Sequence, residues 1–247
     1  MNTFPQSLDE AVNQAKEATL AALADGYNRV QIELVIPEIP LQAQALALEF
    51  SSLFTEYGSG LKVIFPDTGA ASLAKRDWED ISFLVTDLGS RYTPIENKVA
   101  PEDEIFLLVC PSSVEVERVE KLCNLAGDRP VVLLIPQLED VSIVGIGLAA
   151  RKLRERFIST LYSAYYFQAL EAAALLRCHP SPWQIWLEKE ESYELASEQP
   201  EKPVGDALER LLIQLTSDRN PEDPSTPQPK KSGILSNLQK FIRALSQ

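Results

Sequence analysis

Histidine is almost missing from this chain: His179 is the only one in 247 residues. A zinc site or a Ser-His-Asp triad therefore has very little material. The three cysteines, Cys110, Cys123 and Cys178, are odd in number and show no C-x-x-C spacing. They read as buried, reduced thiols, which fits a cytosolic compartment. Positive charge is also scarce, with 23 Lys and Arg against 36 Asp and Glu and a formal net charge of −13. That balance argues against nucleic acid as a partner, because phosphate binding needs a Lys/Arg surface. The first residues hold no basic segment followed by an apolar one, so no signal peptide is expected. The most apolar long stretch, 161–176, is broken by Ser163, Gln168 and Glu171, and is too short and polar to span a bilayer.

What remains is an ordinary globular composition, 45% hydrophobic and 24% charged, enough to bury a full core. Helix and strand signals alternate from residue 7 to residue 136. Ser7 and Glu10 have capping-box spacing, and Leu8, Val12, Ala15, Thr19 and Leu23 follow a helical period up to Gly26. Residues 27–36 then alternate, with Val30, Ile32, Leu34 and Ile36 against Arg29, Gln31 and Glu33. This predicts a strand with one wet face, at a sheet edge. A second helix is expected over 41–57, closed by Gly58 and Gly60. Strands at 61–65 and 81–85 flank a short helix at 68–77, and 90–104 reads as a polar loop. The near-continuous apolar runs 105–110 and 131–135 read as strands covered on both faces. Between them Ser112 or Ser113 caps a helix over 114–125 that ends at Gly127.

Beyond residue 136 the pattern changes. A short basic helix is expected at 147–155, and 157–167 is rich in aromatic and β-branched residues. Segments 173–177 and 183–188 read as strands around the turn His179-Pro180-Ser181-Pro182. They predict an antiparallel extension of the sheet; a helix over 161–176 is the competing reading. A last helix is expected at 204–215. The fold class is therefore α/β: one domain over 1–217, with a mostly parallel central sheet flanked by helices and an antiparallel extension at its C-terminal side.

Residues 218–233 hold Pro221, Pro224, Pro227 and Pro229 among polar residues, and read as a disordered linker. In the tail helix expected at 234–246, Ile234, Leu235, Leu238, Phe241, Ile242 and Leu245 fall on one helical stripe. The last twenty residues carry Lys230, Lys231, Lys240 and Arg243 and no acid, hence +4, which leaves −17 on the rest. So short a helix is marginal alone in water. Docking back on its own domain is the ordinary role for it. Reversible attachment to a membrane surface or partner groove, through Leu235, Leu238, Phe241, Ile242, Leu245, Lys240 and Arg243, is the functional one.

Candidate chemistry is thin. Asp67 follows an expected strand at what should be a carboxyl end of the sheet, where α/β proteins place ligands. Thr68 and Gly69 offer helix N-terminal N–H groups beside it, although helix capping alone explains Asp67 or Thr68. Trp78 of Arg76-Asp77-Trp78 is expected in the core. Gly145-Ile146-Gly147-Leu148-Ala149-Ala150 fits G-x-G-x-x-A, but eight residues separate it from Pro136 and it leads into a basic segment, so it is no dinucleotide fingerprint. Cys178 and His179 lack further ligands at useful spacing, which leaves His179 as a turn residue. Arg151, Lys152, Arg154 and Arg156 read as a solvated helix face. No metal and no cofactor are expected.

The segments Phe4-Pro5-Gln6-Ser7-Leu8-Asp9-Glu10-Ala11, Ala21-Ala22-Leu23-Ala24-Asp25-Gly26-Tyr27, Phe65-Pro66-Asp67-Thr68-Gly69-Ala70-Ala71 and Lys75-Arg76-Asp77-Trp78 together resemble the family called domain of unknown function 1995. The similarity continues through Arg154-Glu155-Arg156-Phe157 and Trp183-Gln184-Ile185-Trp186, covering roughly residues 3–215. That family belongs to cyanobacteria and chloroplasts, and some plant members act in accumulation or assembly of photosystem I or II. The resemblance supplies no catalytic residues. It implies a non-catalytic auxiliary factor whose partner is a photosystem subunit or assembly factor, in the cytoplasm of a cyanobacterium with peripheral thylakoid contact. The start of the domain near Met1, with no transit peptide, supports that origin. The alternative is a small-ligand-binding protein or enzyme using the sheet's carboxyl edge near Asp67.

Overall fold

The structure, a computed structural model, describes residues 3–90, 92–139, 148–190 and 192–217. Its first helix shows how local sequence sets an element. The Ser7 hydroxyl accepts the Glu10 N–H at 3.1 Å, and the Glu10 carboxylate accepts the Gln6 N–H at 2.7 Å. This is a capping box displaced back by one residue. Helix α1 (Leu8–Ala24) then buries Leu8, Ala11, Val12, Ala15, Ala18, Thr19 and Ala22. Asp25 closes it, and Gly26 takes φ +88° as the chain turns toward strand β1 (Arg29–Val35).

The span expected as one helix over 41–57 is broken. A 3₁₀ turn (Ile39–Gln42) leads into helix α2 (Ala43–Ser51), and an irregular 3₁₀ stretch (Ser52–Gly60) follows, with Phe54 and Gly58 outside helical geometry. Hydroxyls account for the break: Ser51 bonds back to Leu48 O at 2.7 Å and Ser52 to Glu49 O at 2.6 Å, competing with the helical ladder.

Strand β2 (Leu61–Phe65), helix α3 (Thr68–Asp77), strand β3 (Leu84–Asp87), strand β4 (Ile105–Val109), helix α4 (Val116–Ala126) and strand β5 (Val131–Leu134) complete the first half. Strand β3 lies three residues later than its pattern predicts. Helix α4 begins later than a Ser112 or Ser113 cap would place it, with Glu115 at its N-cap. The Ser112 hydroxyl instead donates to the Glu115 carboxylate at 2.6 Å and accepts the Val114 N–H at 3.2 Å.

Helix α5 (Leu148–Arg156) then leads to strands β6 (Tyr162–Leu170), β7 (Ala173–Cys178), β8 (Trp183–Lys189) and β9 (Ser192–Gln199), and to helix α6 (Gly205–Ser217). The competing helix over 161–176 is a β6–β7 hairpin, with Ala172 at φ +52° in its turn.

The nine strands of the described residues form one sheet in the order β3-β2-β4-β5-β1-β6-β7-β8-β9. Pairing is parallel from β3 to β6 and antiparallel from β6 to β9. Strand β1 is therefore interior, between β5 and β6, not at an edge. Its alternation is real, since Val30, Ile32 and Leu34 are buried while Val35 stays 44% exposed. The polar face mimics an edge because its side chains pair across the sheet. Arg29 donates to Cys123 O at 3.2 Å and to Asn124 at 3.1 Å. Glu33 accepts from Ser163 at 2.7 Å.

Helices lie on both faces. Ile105, Leu107 and Val109 of β4 join a core with Ala15 of α1, Phe50 of α2 and Ala71 of α3. Phe106 and Leu108 of the same strand join a second core with Val119 and Leu122 of α4 and Leu153 of α5. Helix α6 sets Leu208, Leu211, Leu212 and Leu215 against Tyr166, Leu175, Trp183 and Ile185. The connections β1–α2–β2 and β2–α3–β3 move one way along the sheet, and β4–α4–β5 and β5–α5–β6 the other. They diverge between β2 and β4, the topological switch point at the carboxyl edge where open α/β sheets place ligands.

Candidate functional site

The switch point between β2 and β4 is bordered by Asp67, Thr68 and Gly69. Asp67 is extended and its Oδ1 accepts the Ala70 N–H at 3.0 Å, so it caps α3. A Cβ on Gly69 would stand 3.0 Å from that same oxygen, which explains the glycine. The Thr68 hydroxyl helps to hold the Asp87 carboxylate ionised. Lys98 Nζ reaches Asp87 at 2.9 Å and Thr86 at 3.5 Å. Burial pushes the Asp87 carboxyl up, but bonds from Lys98 and Thr68, the Lys98 charge and the Gly89 N–H together hold it below the usual carboxylate range.

Next along the edge come residues with strained backbone. Cys110 directly follows β4 at φ +49°, Ile135 directly follows β5 at φ +46°, and Glu38 follows β1 at φ +66°. Left-handed geometry is rare for a β-branched residue such as isoleucine. It holds because both neighbouring amides extend the ladder, Cys110 N–H to Leu134 O and Ile135 N–H to Ile32 O, each at 2.8 Å. Burial and the Glu115 charge push the Cys110 thiol up, away from the reactive thiolate.

This edge also carries the most exposed large apolar side chains among the described residues: Leu41 at 82%, Tyr92 at 80%, Val114 at 78% and Leu148 at 68%. They belong to the connections that leave β1, β3, β4 and β5.

A second cluster sits at the opposite, amino edge of the parallel strands, and sequence reasoning missed it. His179, 7% exposed, directly follows β7, and its own peptide bond to Pro180 is cis. Its Nε2 lies 3.0 Å from Asp25 Oδ2 and its Nδ1 lies 2.7 Å from the Tyr162 hydroxyl. A carboxylate only accepts, so Nε2 carries a proton, and in the neutral imidazole Nδ1 then accepts the Tyr162 proton. Arg177 Nη2 donates to the same phenol oxygen at 2.8 Å. The Arg177 guanidinium lies over the rings of Tyr162 and Trp183, at 4.9 and 5.3 Å. Tyr27 stacks on Tyr162 with centroids 3.6 Å apart, and the neighbouring Tyr162 hydroxyl raises the Tyr27 phenol. The chain of bonds polarises a phenol, yet a second ring lies flat on it. Its evident effect is to clamp the turn after α1 to β6 and β7. The only advance signal was a lone histidine at a strand end; Asp25 is 154 residues away.

Other candidates fall as the sequence suggests. Trp78 is buried against Phe65 and Phe83, and Asp77 holds Arg76 at 2.6 Å and Gln44 at 3.0 Å. Arg154 pairs with Glu139 at 2.6 Å and Arg156 with Glu120 at 2.8 Å. Among the described residues no group of three or more His, Cys, Asp or Glu is placed to hold a metal, and no helix is long and apolar enough to cross a membrane. The tail residues Leu235, Leu238, Lys240, Phe241, Ile242, Arg243 and Leu245 lie outside the described residues, as do Gly145, Ile146 and Gly147 of the glycine pattern. The model of one family, described as Domain of unknown function (DUF1995), matches residues 5–210. With more than four-fifths of its length so matched, the chain belongs to that family.

Proposed function

We propose that this chain is a non-catalytic auxiliary factor in photosystem assembly or accumulation. It works in the cytoplasm of a cyanobacterium, through protein–protein contacts or at the thylakoid surface. The observation that carries this reading is the carboxyl edge. Leu41, Tyr92, Val114 and Leu148 are exposed there, while Asp67 caps α3, Lys98 pairs with Asp87 and Ser112 bonds Glu115. An apolar surface whose neighbouring polar groups are so engaged suits docking better than chemistry. The photosynthetic setting comes from the family resemblance.

The test is binding of purified photosystem I and photosystem II complexes to the immobilised chain. The reading expects one of them to be retained, and Leu41→Asp with Val114→Asp to abolish retention. Retention of neither, or retention indifferent to both substitutions, overturns it.

A second reading, a small-ligand-binding protein or enzyme near Asp67, is favoured by one observation. Strained residues collect at functional sites, and Cys110 and Ile135 directly follow β4 and β5 at the carboxyl edge. Enrichment of a single small metabolite by the wild-type chain, lost in Ile135→Gly, would favour it.

A further inference from the structure

Thirty residues, 218–247, follow α6. We propose that 234–245 dock across the carboxyl edge of the same chain, cover Leu41 and Val114, and compete there with the partner. The proposal rests on reading that edge as a docking surface and adds its regulation.

Charge favours the edge. The last twenty residues carry +4 and the rest of the chain −17. Glu38, Asp67 and Glu115 stand in the connections leaving β1, β2 and β4, among the exposed apolar residues. The groove beside α6 is nearer in sequence, but its charges balance: Lys202 and Arg210 line it together with Glu201, and Lys202 pairs with Glu33 at 3.4 Å. It offers a basic segment no net attraction.

Dimensions agree as well. The apolar residues leave strands β3 to β1, four strand spacings apart, so they extend over about 19 Å. Twelve residues of helix are about 18 Å long and present Ile234, Leu235, Leu238, Phe241, Ile242 and Leu245 along one side. The sixteen residues 218–233 reach at most about 55 Å, more than the roughly 38 Å width of a nine-stranded sheet. Tethering gives an effective concentration in the millimolar range, so even a weak intrinsic interaction is populated.

Hydrogen exchange of the full chain, read by mass spectrometry, tests this. Segment 234–245 is expected to exchange at least about 10-fold more slowly in the wild type than in Phe241→Asp. Leu41→Asp with Val114→Asp, or added salt, is expected to remove that protection. Equal exchange in wild type and Phe241→Asp overturns the proposal. So does protection that survives the edge substitutions but is lost in Ile213→Asp, which places the tail on α6. Protection that grows with protein concentration also overturns it, because the tail then sits on a second copy. Photosystem binding by full-length Phe241→Asp separates the two readings. Protection without such binding removes only the auxiliary-factor role, and binding without protection removes only the tail contact.

Discussion

The Tyr162 hydroxyl stands 2.7 Å from His179 Nδ1 and also accepts Arg177 Nη2 at 2.8 Å, so one oxygen ties a buried imidazole to a guanidinium. Tyr162→Phe removes it and leaves both groups short of a partner. We expect a loss of about 1–3 kcal/mol, the cost of stranding a buried polar group. Urea denaturation measures it, and a loss within error of zero would remove the clamp from the account.

Leu108 is fully buried in β4 between helices α4 and α5 on one face. Leu108→Asp is expected to unfold the domain, because an unpaired buried charge costs several kcal/mol. Loss of the far-ultraviolet circular dichroism signal and of the monomer elution position checks this.

The cap at Asp67 separates two substitutions of similar size. Asp67→Ala is expected to cost about 1 kcal/mol, and Asp67→Asn only a few tenths, because asparagine keeps the accepting oxygen. Equal losses in thermal melts would show that Asp67 acts through charge rather than as a cap.

Asp87 sets a pH dependence. Its folded pKa is depressed, so its contribution is fully present above the ordinary carboxylate value of about 4 and is lost as pH falls through the lower folded value. Lys98→Met removes the cation and is expected to flatten the acid limb of the stability curve below that pH. An unchanged acid limb would count against the pair.

No tight binding of NAD, ATP or a divalent metal is expected, since the glycine pattern from Gly145 is misplaced for a dinucleotide fold. Calorimetry giving micromolar nucleotide affinity, abolished by Gly147→Val, would overturn that expectation.

Some of this was readable in the sequence for definite physical reasons. Ile105–Val109 and Val131–Leu134 are apolar at every position, as only strands covered on both faces require. Asp67 ahead of Thr68-Gly69-Ala70 announces a cap from local chemistry alone. The interior place of β1 is not readable, because Arg29 and Glu33 look solvated until Asn124 and Ser163 arrive from distant segments. His179 is hidden in the same way, its partners Asp25 and Tyr162 being set by topology. Strand β9 escapes because its Glu194, Ser197 and Glu198 dilute the alternation that marks a half-buried strand.

The interior position of β1 constrains the order in which the chain can assemble. It is made early, yet it pairs with Val131–Leu134 and with residues 162–168, about a hundred or more residues later. A growing chain therefore holds both edges of β1 open until β5 is made and one of them until β6 follows, with α1 as the nearest cover for Val30, Ile32 and Leu34. Pairings so distant in sequence form slowly, and an unpaired apolar strand invites association with other chains meanwhile. The amino-terminal helix thus serves the nascent chain as a temporary shield before it serves the finished sheet as a layer.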